Sequence, residues 1–244
     1  MSDEARSACR EFEPRRNLFR GTPPAMTESS AVRIPPVPSL ETLFNLFAGG
    51  YIALMAWEIW SRTLTVWVLG GPLEPPGLVL SLINHFLGTS YASSMALPWA
   101  NATFAHYVIG IVGYPVLYYI FSRGVKRWDA ILDAAVLGIF SVFVLLALKN
   151  NQFTSWMGWF WLMVALVTAT RFFNPSPLFR ECLSFGSFTW FNALGIFAPV
   201  AGLPFLLMEW GGGLSFMSWV GHILFGFVAA YVFERLEAKR VSAS

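Results

Sequence analysis

Long apolar runs are the feature that most constrains the fold of this chain. A helix needs about 20 mainly apolar residues to cross the hydrocarbon core of a bilayer. Six stretches reach or approach that length, and they are residues 43–69, 103–121, 130–148, 156–170, 184–208 and 215–233. The sequence therefore predicts an all-α protein, a polytopic transmembrane bundle of about six spanning helices.

The composition indicates lipid rather than water as the solvent of this bundle. Charged residues make up 12% of the 244 residues and hydrophobic residues 56%, whereas soluble domains carry about 25% charged residues. There are too few polar side chains to cover a water-facing surface. The net charge of +2 is also too small to indicate nucleic-acid binding, so the predicted partner is the lipid bilayer.

Polar segments flank the apolar part of the chain. Residues 1–40 contain no apolar run of the kind found in secretory signal peptides, and we expect them to form a disordered cytoplasmic tail. Met26 is an alternative start, which would leave residues 1–25 untranslated. Residues 41–235 are assigned to the transmembrane domain and residues 236–244 to a short cytoplasmic tail.

The distribution of basic residues predicts the orientation of the helices. Cytoplasmic segments of membrane proteins are enriched in Lys and Arg. With the N-terminus inside, 14 of the 16 basic residues fall in cytoplasmic segments, and the exceptions are Arg62 and Lys149. We therefore expect a protein of the cell inner (plasma) membrane with both termini in the cytoplasm. Residues 77–88 are apolar but too short to cross, which leaves an interfacial and a re-entrant helix as alternatives.

Two of the predicted helices share a pattern that starts at a histidine. Small residues follow four and seven positions later, and they are Gly110 and Gly113 after His106, and Gly226 and Ala229 after His222. Positions with this spacing lie on one face of an α-helix, and small residues let helices approach closely in lipid. Each histidine is expected to face protein, and helices 1–2 and 5–6 are expected to form a parallel repeat of hairpins.

Glu58 and Arg62 form an ionisable pair in the first predicted helix. Their spacing of four residues, with Glu first, favours an ion pair. A charge at the centre of a membrane helix costs about 2.5–3.5 kcal/mol, so it needs a partner or a function. One interpretation is that the two groups neutralise each other at the outer end of a tilted helix. The other is that Glu58 is a proton or cation site tuned by Arg62.

A pocket is expected where the two hairpins pack together. Ionisable side chains that would converge there, toward the exported side, are Glu58, Arg62, His106, Glu209 and His222, with His85 above them. Carboxylate and imidazole groups suit proton handling or a divalent metal. The alternative is that each histidine hydrogen-bonds to a neighbouring helix and binds nothing. Pro115, Pro199 and Pro204 are expected to kink or break their helices, and the freed carbonyls could line a cavity.

The cofactor alternatives depend on His106 and His222. A bis-imidazole haem needs two histidines at matched depth on facing helices, and the same pair is the candidate for a divalent metal. No closely spaced metal motif, nucleotide-binding loop or nucleophile motif occurs in the sequence. The sequence therefore predicts no catalytic residues and no bound cofactor, and it favours a protein that is not an enzyme.

Several short motifs resemble the YagU-like inner-membrane proteins, a family of uncharacterised molecular function. They are residues 71–76 (GPLEPP), the helix that contains His106 with its tyrosines, residues 199–204 (PVAGLP) and residues 221–225 (GHILF). The resemblance implies a polytopic fold and an inner-membrane location, and it implies no activity.

Two kinds of function are compatible with these features. The first is a permease-like protein for a small molecule or an ion, or a stress-tolerance protein, with a polar pocket toward the exported side. The second is a haem- or metal-binding membrane redox protein, or an accessory subunit of a membrane complex. A homo-oligomer is compatible with either.

Overall fold

The chain folds into helices. The structure, a computed structural model, describes residues 33–149, 156–173 and 176–243, and this part contains no β-strand. Its α-helices are α1 (Leu40–Arg62), α2 (Leu64–Leu69), α3 (Pro75–Leu87), α4 (Thr89–Ser94), α5 (Pro98–Val108), α6 (Tyr114–Gly124), α7 (Trp128–Lys149), α8 (Trp156–Phe172), α9 (Pro177–Trp190), α10 (Ala198–Val200) and α11 (Gly212–Ala243). Two π-helices, Ile109–Gly113 and Phe191–Phe197, and a 3₁₀-helix, Phe205–Trp210, connect some of them. The all-α prediction is confirmed.

Four stretches of the described chain are long and apolar enough to cross a membrane. They are Leu40–Leu69, Pro98–Gly124, Pro177–Val200 and Gly212–Ser242. They coincide with the first, second, fifth and sixth predicted spans. The third and fourth predicted spans are helical as well, as α7 with 22 residues and α8 with 17. Residues 77–88 fall largely in α3, whose 13 residues are too few to cross a bilayer.

The first long helix begins at a side-chain cap. The hydroxyl of Ser39 accepts a hydrogen bond from the Thr42 N–H at 3.1 Å, which satisfies one of the amides left open at a helix start. The apolar stretch continues through α2 and ends at Gly70, which has a φ of +79°, a conformation that glycine adopts without strain. Pro75 then occupies the first turn of α3, where its missing N–H is not needed.

The fifth predicted span has different bounds in the structure. It begins at Pro177, because the Ser176 hydroxyl caps the helix by accepting from the Phe179 N–H at 3.3 Å. It ends at Val200 rather than at residue 208, because Gly202 has a φ of +76° and Pro204 follows it. The chain then forms the separate 3₁₀-helix, in which Leu206 and Leu207 have left-handed φ values of 52° and 55°.

Glycines allow the long helices to touch backbone to backbone. A Cβ atom on Gly49 of α1 would lie 2.8 Å from the Ala229 carbonyl oxygen of α11. A Cβ atom on Gly226 of α11 would lie 3.0 Å from the Cys182 carbonyl oxygen of α9. Close backbone approach of this kind is the usual basis of helix association in lipid. Gly226 and Ala229, the small residues after His222, therefore face protein as predicted. After His106, Gly110 is buried as well, whereas Gly113 is exposed, because the π-helix that contains them changes the helical register.

Both predicted tails are partly ordered where the structure describes them. Residues 33–39 are not helical, but the Arg33 N–H donates to the Gly124 carbonyl at 2.6 Å and the Tyr119 hydroxyl donates to the Pro36 carbonyl at 2.9 Å. The rest of the predicted N-terminal tail, residues 1–32, lies outside the described residues.

Residues 236–243, within the predicted C-terminal tail, form the last part of α11, which extends to Ala243. The reason is a polar contact at this end of the bundle. Glu237 is buried, accepts from the Asn45 amide of α1 at 2.6 Å, and pairs with Arg240 at 2.8 Å. These bonds hold the end of α11 against α1.

Candidate functional site

A cavity of about 490 Å³ lies where α1 ends and α11 begins. Its walls come from α1, α3, α5, α6, α11, both π-helices and the 3₁₀-helix. Most of the lining is apolar, and representative residues are Leu54, Leu82, Leu194, Phe197 and Leu214. Ligand pockets in proteins commonly measure about 300–1,000 Å³ and combine an apolar lining with a few polar groups. The cavity therefore has the size and the surface of a small-molecule site.

The two π-helices of the described chain both border this cavity. The first contributes Ile109 and Gly110, and the second contributes Leu194 and Phe197. A proline explains each π-helix, because a proline ring clashes with the carbonyl four residues earlier. Pro115 clashes in this way with residue 111 and Pro199 with residue 195, and both positions lie inside a π-helix. π-helical turns are rare and occur often at functional sites.

Trp57 packs against both histidines of the cavity wall, His106 and His222. Its indole is 4% exposed and meets the His106 ring edge to face at a centroid distance of 5.7 Å and the His222 ring at 6.0 Å. The Trp57 Nε1–H is buried and has no hydrogen-bond partner. The three side chains line the cavity together. The packing of both imidazoles against one rigid indole limits how far either ring can rotate.

A carboxylate lies behind His106. Glu58 accepts from the Arg62 guanidinium at 2.8 Å through one oxygen, and its other oxygen lies 3.6 Å from His106 Nε2. The Glu58 side chain is 11% exposed and the Arg62 side chain 55%. The predicted ion pair is therefore present, with its cation reaching the surface. Glu58 contacts the cavity indirectly, through His106.

His222 has a defined hydrogen-bonding partner. Its Nδ1 lies 2.8 Å from the Ser218 carbonyl oxygen. A carbonyl can only accept, so Nδ1 carries the hydrogen, and in the neutral ring Nε2 is then a hydrogen-bond acceptor. The Ser218 hydroxyl oxygen lies 3.5 Å from the same Nδ1. The backbone bond and the contact with Trp57 together fix the orientation of this imidazole.

The structure brings together three of the six predicted pocket residues around Trp57, and they are Glu58, His106 and His222. Arg62 joins them through Glu58. Glu209 is exposed and does not line the cavity, because the helix stop before it places it in the 3₁₀-helix. His85 is exposed on α3 and also lies outside the lining.

Several residues of the site were not expected from the sequence. The sequence did not predict that Trp57 or residues of α3 would line the cavity. It also predicted a polar pocket, whereas most of the lining is apolar. Trp57 directly precedes the charged Glu58 in the sequence. An aromatic residue beside a buried charge is the feature from which its place in the site could have been predicted. Leu78 and Leu82 of α3 are four residues apart, and both line the cavity. This spacing places an apolar stripe on one face of a short helix.

Among the described residues, no group of three or more His, Cys, Asp or Glu side chains is placed to hold a metal ion. No protein-family model, curated protein or solved structure matches this chain.

Proposed function

We propose that this chain is a multi-pass membrane protein that binds a small lipophilic molecule in the cavity beside Trp57, in the manner of a permease or carrier. The observation that carries the proposal is the cavity itself, with its volume of about 490 Å³ and its largely apolar lining. A cavity of this kind accepts a molecule that dissolves in the membrane. An inorganic ion would need a denser set of polar ligands.

Backbone features of the cavity wall support the same proposal. Both π-helices border it, and so does Leu207, whose φ of 55° is unfavourable for a residue with a side chain. Such strained positions cluster at binding and catalytic sites, where the surrounding structure maintains them. A wall made of interrupted helices is also typical of membrane transporters.

The proposal includes six spans, an inner-membrane location and cytoplasmic termini. Beyond the four long helices, α7 and α8 supply the third and fourth crossings. The concentration of Lys and Arg supports this orientation, and it places the cavity toward the exported side. α3 then lies at the interface and covers the cavity. The parallel repeat of hairpins and membership of the YagU-like family are also part of this proposal, and short sequence motifs support them.

Photolabelling tests whether the cavity is a binding site. An alkyl diazirine probe added to the detergent-purified protein should label the peptides that contain α3 and the second π-helix. An excess of unlabelled decanol should suppress this labelling, because the site is saturable. Labelling of Ile139, which is exposed on α7, should not be suppressed and serves as the internal reference.

A cavity-filling variant provides the second arm of this test. Ala193→Trp places an indole in the lining and should reduce labelling of the cavity about tenfold, whereas Ala135→Trp on the exposed face of α7 should not change it. Equal suppression at the cavity and at Ile139, or unchanged labelling in Ala193→Trp, would contradict the proposal. The decanol competition uses the unmodified chain, so it does not depend on the folding of the variant.

A redox protein that binds haem or a divalent metal through His106 and His222 is the second candidate function. It is favoured by one observation, which is that His222 Nδ1–H donates to the Ser218 carbonyl at 2.8 Å and leaves Nε2 as a ligand atom. Metal-binding histidines are commonly oriented in this way. His106 Nε2 lies 3.6 Å from Glu58, too far for a hydrogen bond. An absorption spectrum and a metal analysis of the purified protein test this candidate, and a colourless, metal-free and folded preparation would exclude it.

A further inference from the structure

The polar groups of the cavity differ in what they still offer to a ligand. The Ser81 hydroxyl donates to the Gly77 carbonyl at 2.9 Å, and the Tyr114 hydroxyl donates to the Thr189 carbonyl at 3.4 Å. The Nδ1–H of His222 donates to the Ser218 carbonyl at 2.8 Å. In each case the hydrogen is directed at the protein backbone. None of these three donor hydrogens is therefore free to bond to a ligand.

Besides the buried Trp57 Nε1–H, which has no partner, the wall around His222 offers one acceptor and one adjustable donor. The acceptor is Nε2 of the neutral ring, since Nδ1 carries the hydrogen. The donor is the Ser218 hydroxyl, whose hydrogen can rotate and whose oxygen lies 3.5 Å from His222 Nδ1. Both residues line the cavity. A small group that donates one hydrogen bond and accepts another would satisfy both.

The charges near the cavity favour an uncharged ligand. Glu58 is already paired with Arg62 at 2.8 Å and does not belong to the lining. Glu74 does line the cavity, but it is exposed at the start of α3, where water solvates its carboxylate. No buried lining carboxylate of the described chain is thus left to pair with a cationic headgroup, and the lining contains no Lys or Arg to pair with an anionic one. A buried unpaired charge is strongly disfavoured.

We propose that the ligand is an uncharged amphiphile with a hydroxyl headgroup and a hydrocarbon chain. The hydroxyl donates to His222 Nε2 and accepts from the Ser218 hydroxyl, and the chain lies against the leucine and phenylalanine side chains of the wall. This inference rests on the proposed binding function and adds the headgroup that the site selects. His222 is a binding residue in this scheme, and Trp57 positions its ring.

Two ligands of similar size test whether the site selects a hydroxyl headgroup. Decanol and decyl methyl ether share the hydrocarbon chain and the oxygen, but the ether cannot donate a hydrogen bond. Binding of each is measured as competition against the diazirine label at the cavity. The unmodified protein should bind decanol about tenfold more tightly than the ether, since one hydrogen bond in an apolar site contributes roughly that factor.

Three variants identify the residue responsible for this preference. His222→Leu should lose the preference while keeping its affinity for the ether, and His222→Gln, which retains an acceptor, should keep a preference of several fold. Ser81→Ala is the matched control, because it also lies in the lining but its hydroxyl is directed at the backbone. It should retain the preference of the unmodified protein.

The possible outcomes separate this inference from the proposed function. Equal affinity for decanol and the ether, or an undiminished preference in His222→Leu, would overturn the hydroxyl headgroup and leave the cavity as an apolar site. Tighter binding of decyltrimethylammonium than of decanol would also overturn it, in favour of a cationic ligand. Failure of every ligand to compete would overturn the binding function as well. If His222→Leu does not fold, the two affinities of the unmodified protein and of His222→Gln still decide the question.

Discussion

Glu58 is nearly enclosed by protein, and its two oxygens face different partners. One oxygen is bonded to Arg62 at 2.8 Å, and the other lies 3.6 Å from His106 Nε2. The guanidinium reaches the surface while the carboxylate does not. The carboxylate therefore depends on its partner more than the guanidinium does. The two residues should not be equivalent when they are replaced.

Replacement of either member of this pair tests that asymmetry. Arg62→Ala leaves a buried carboxylate without its cation, whereas Glu58→Gln leaves an exposed guanidinium that water can solvate. We expect Arg62→Ala to lower the thermal stability of the purified protein more than Glu58→Gln does. The double variant should recover part of the loss, with a coupling energy on the order of 1 kcal/mol. Equal losses and no coupling would show that the pair does not neutralise a buried charge.

The residue-level predictions from sequence succeeded where the contact is local. The Glu58–Arg62 pair follows from a spacing of four residues on one helix, and the protein-facing side of Gly226 and Ala229 follows from a helical stripe. Glu209 was expected to point at the same pocket, but its placement depends on where the preceding helix stops. That stop is made by Gly202 and Pro204 together, and helix boundaries are harder to predict than helices.

At the scale of the elements, the interrupted helices shape the cavity. Pro115 and Pro199 each lie four residues after a position inside a π-helix. Pro115→Ala and Pro199→Ala restore the missing N–H and remove the ring, so each π-helix can close into a regular α-helix. The side chains beyond it would then rotate relative to the cavity. The sequence predicts that these prolines interrupt their helices, but it does not predict that the interruption takes the form of a π-helix.

These proline variants should lose ligand labelling without losing the fold. We expect each to reduce diazirine labelling of the cavity several fold and to leave thermal stability unchanged or higher. Pro98→Ala is the matched control, because Pro98 occupies the first turn of α5, where proline is tolerated. Normal labelling in both variants would show that the π-helices do not shape the cavity.

The contact of α9 with α11 passes through Gly186. A Cβ atom at this position would lie 2.7 Å from the His222 carbonyl oxygen and 2.8 Å from the Ile223 nitrogen. Gly186→Ala must therefore push the two helices apart beside His222, and it should cost about 1–3 kcal/mol of stability. Gly138→Ala on α7 meets nothing within 4 Å and should be neutral or slightly stabilising. Thermal unfolding in detergent measures both, and equal stability of the two variants would contradict the contact.

At the scale of the whole molecule, two topologies are to be compared, one with four crossings and one with six. Four helical stretches of the described chain are both long and apolar enough to cross a membrane, and α7, with 22 residues, reaches the required length as well. The helix α8 is only 17 residues long, so apolar length does not decide its placement. Four and six crossings both put the two termini on the same side, so a reporter at either end does not separate them. A reporter in the segment between α7 and α8 distinguishes four crossings from six, because this segment lies on opposite sides of the membrane in the two topologies.

Cysteine accessibility at Asn151 therefore decides the topology. In a Cys9→Ser, Cys182→Ala background, Asn151→Cys should react with a membrane-impermeant maleimide in intact cells, because six crossings with the proposed cytoplasmic N-terminus put this segment on the exported side. Thr89→Cys, which follows α3, should react as well. Lys126→Cys, between α6 and α7, should react only after permeabilisation, because the basic residues around it favour the cytoplasm. If Asn151→Cys were protected in the same way as Lys126→Cys, α7 and α8 would not cross. They would then lie along the cytoplasmic surface, and the cavity would belong to a bundle of four helices.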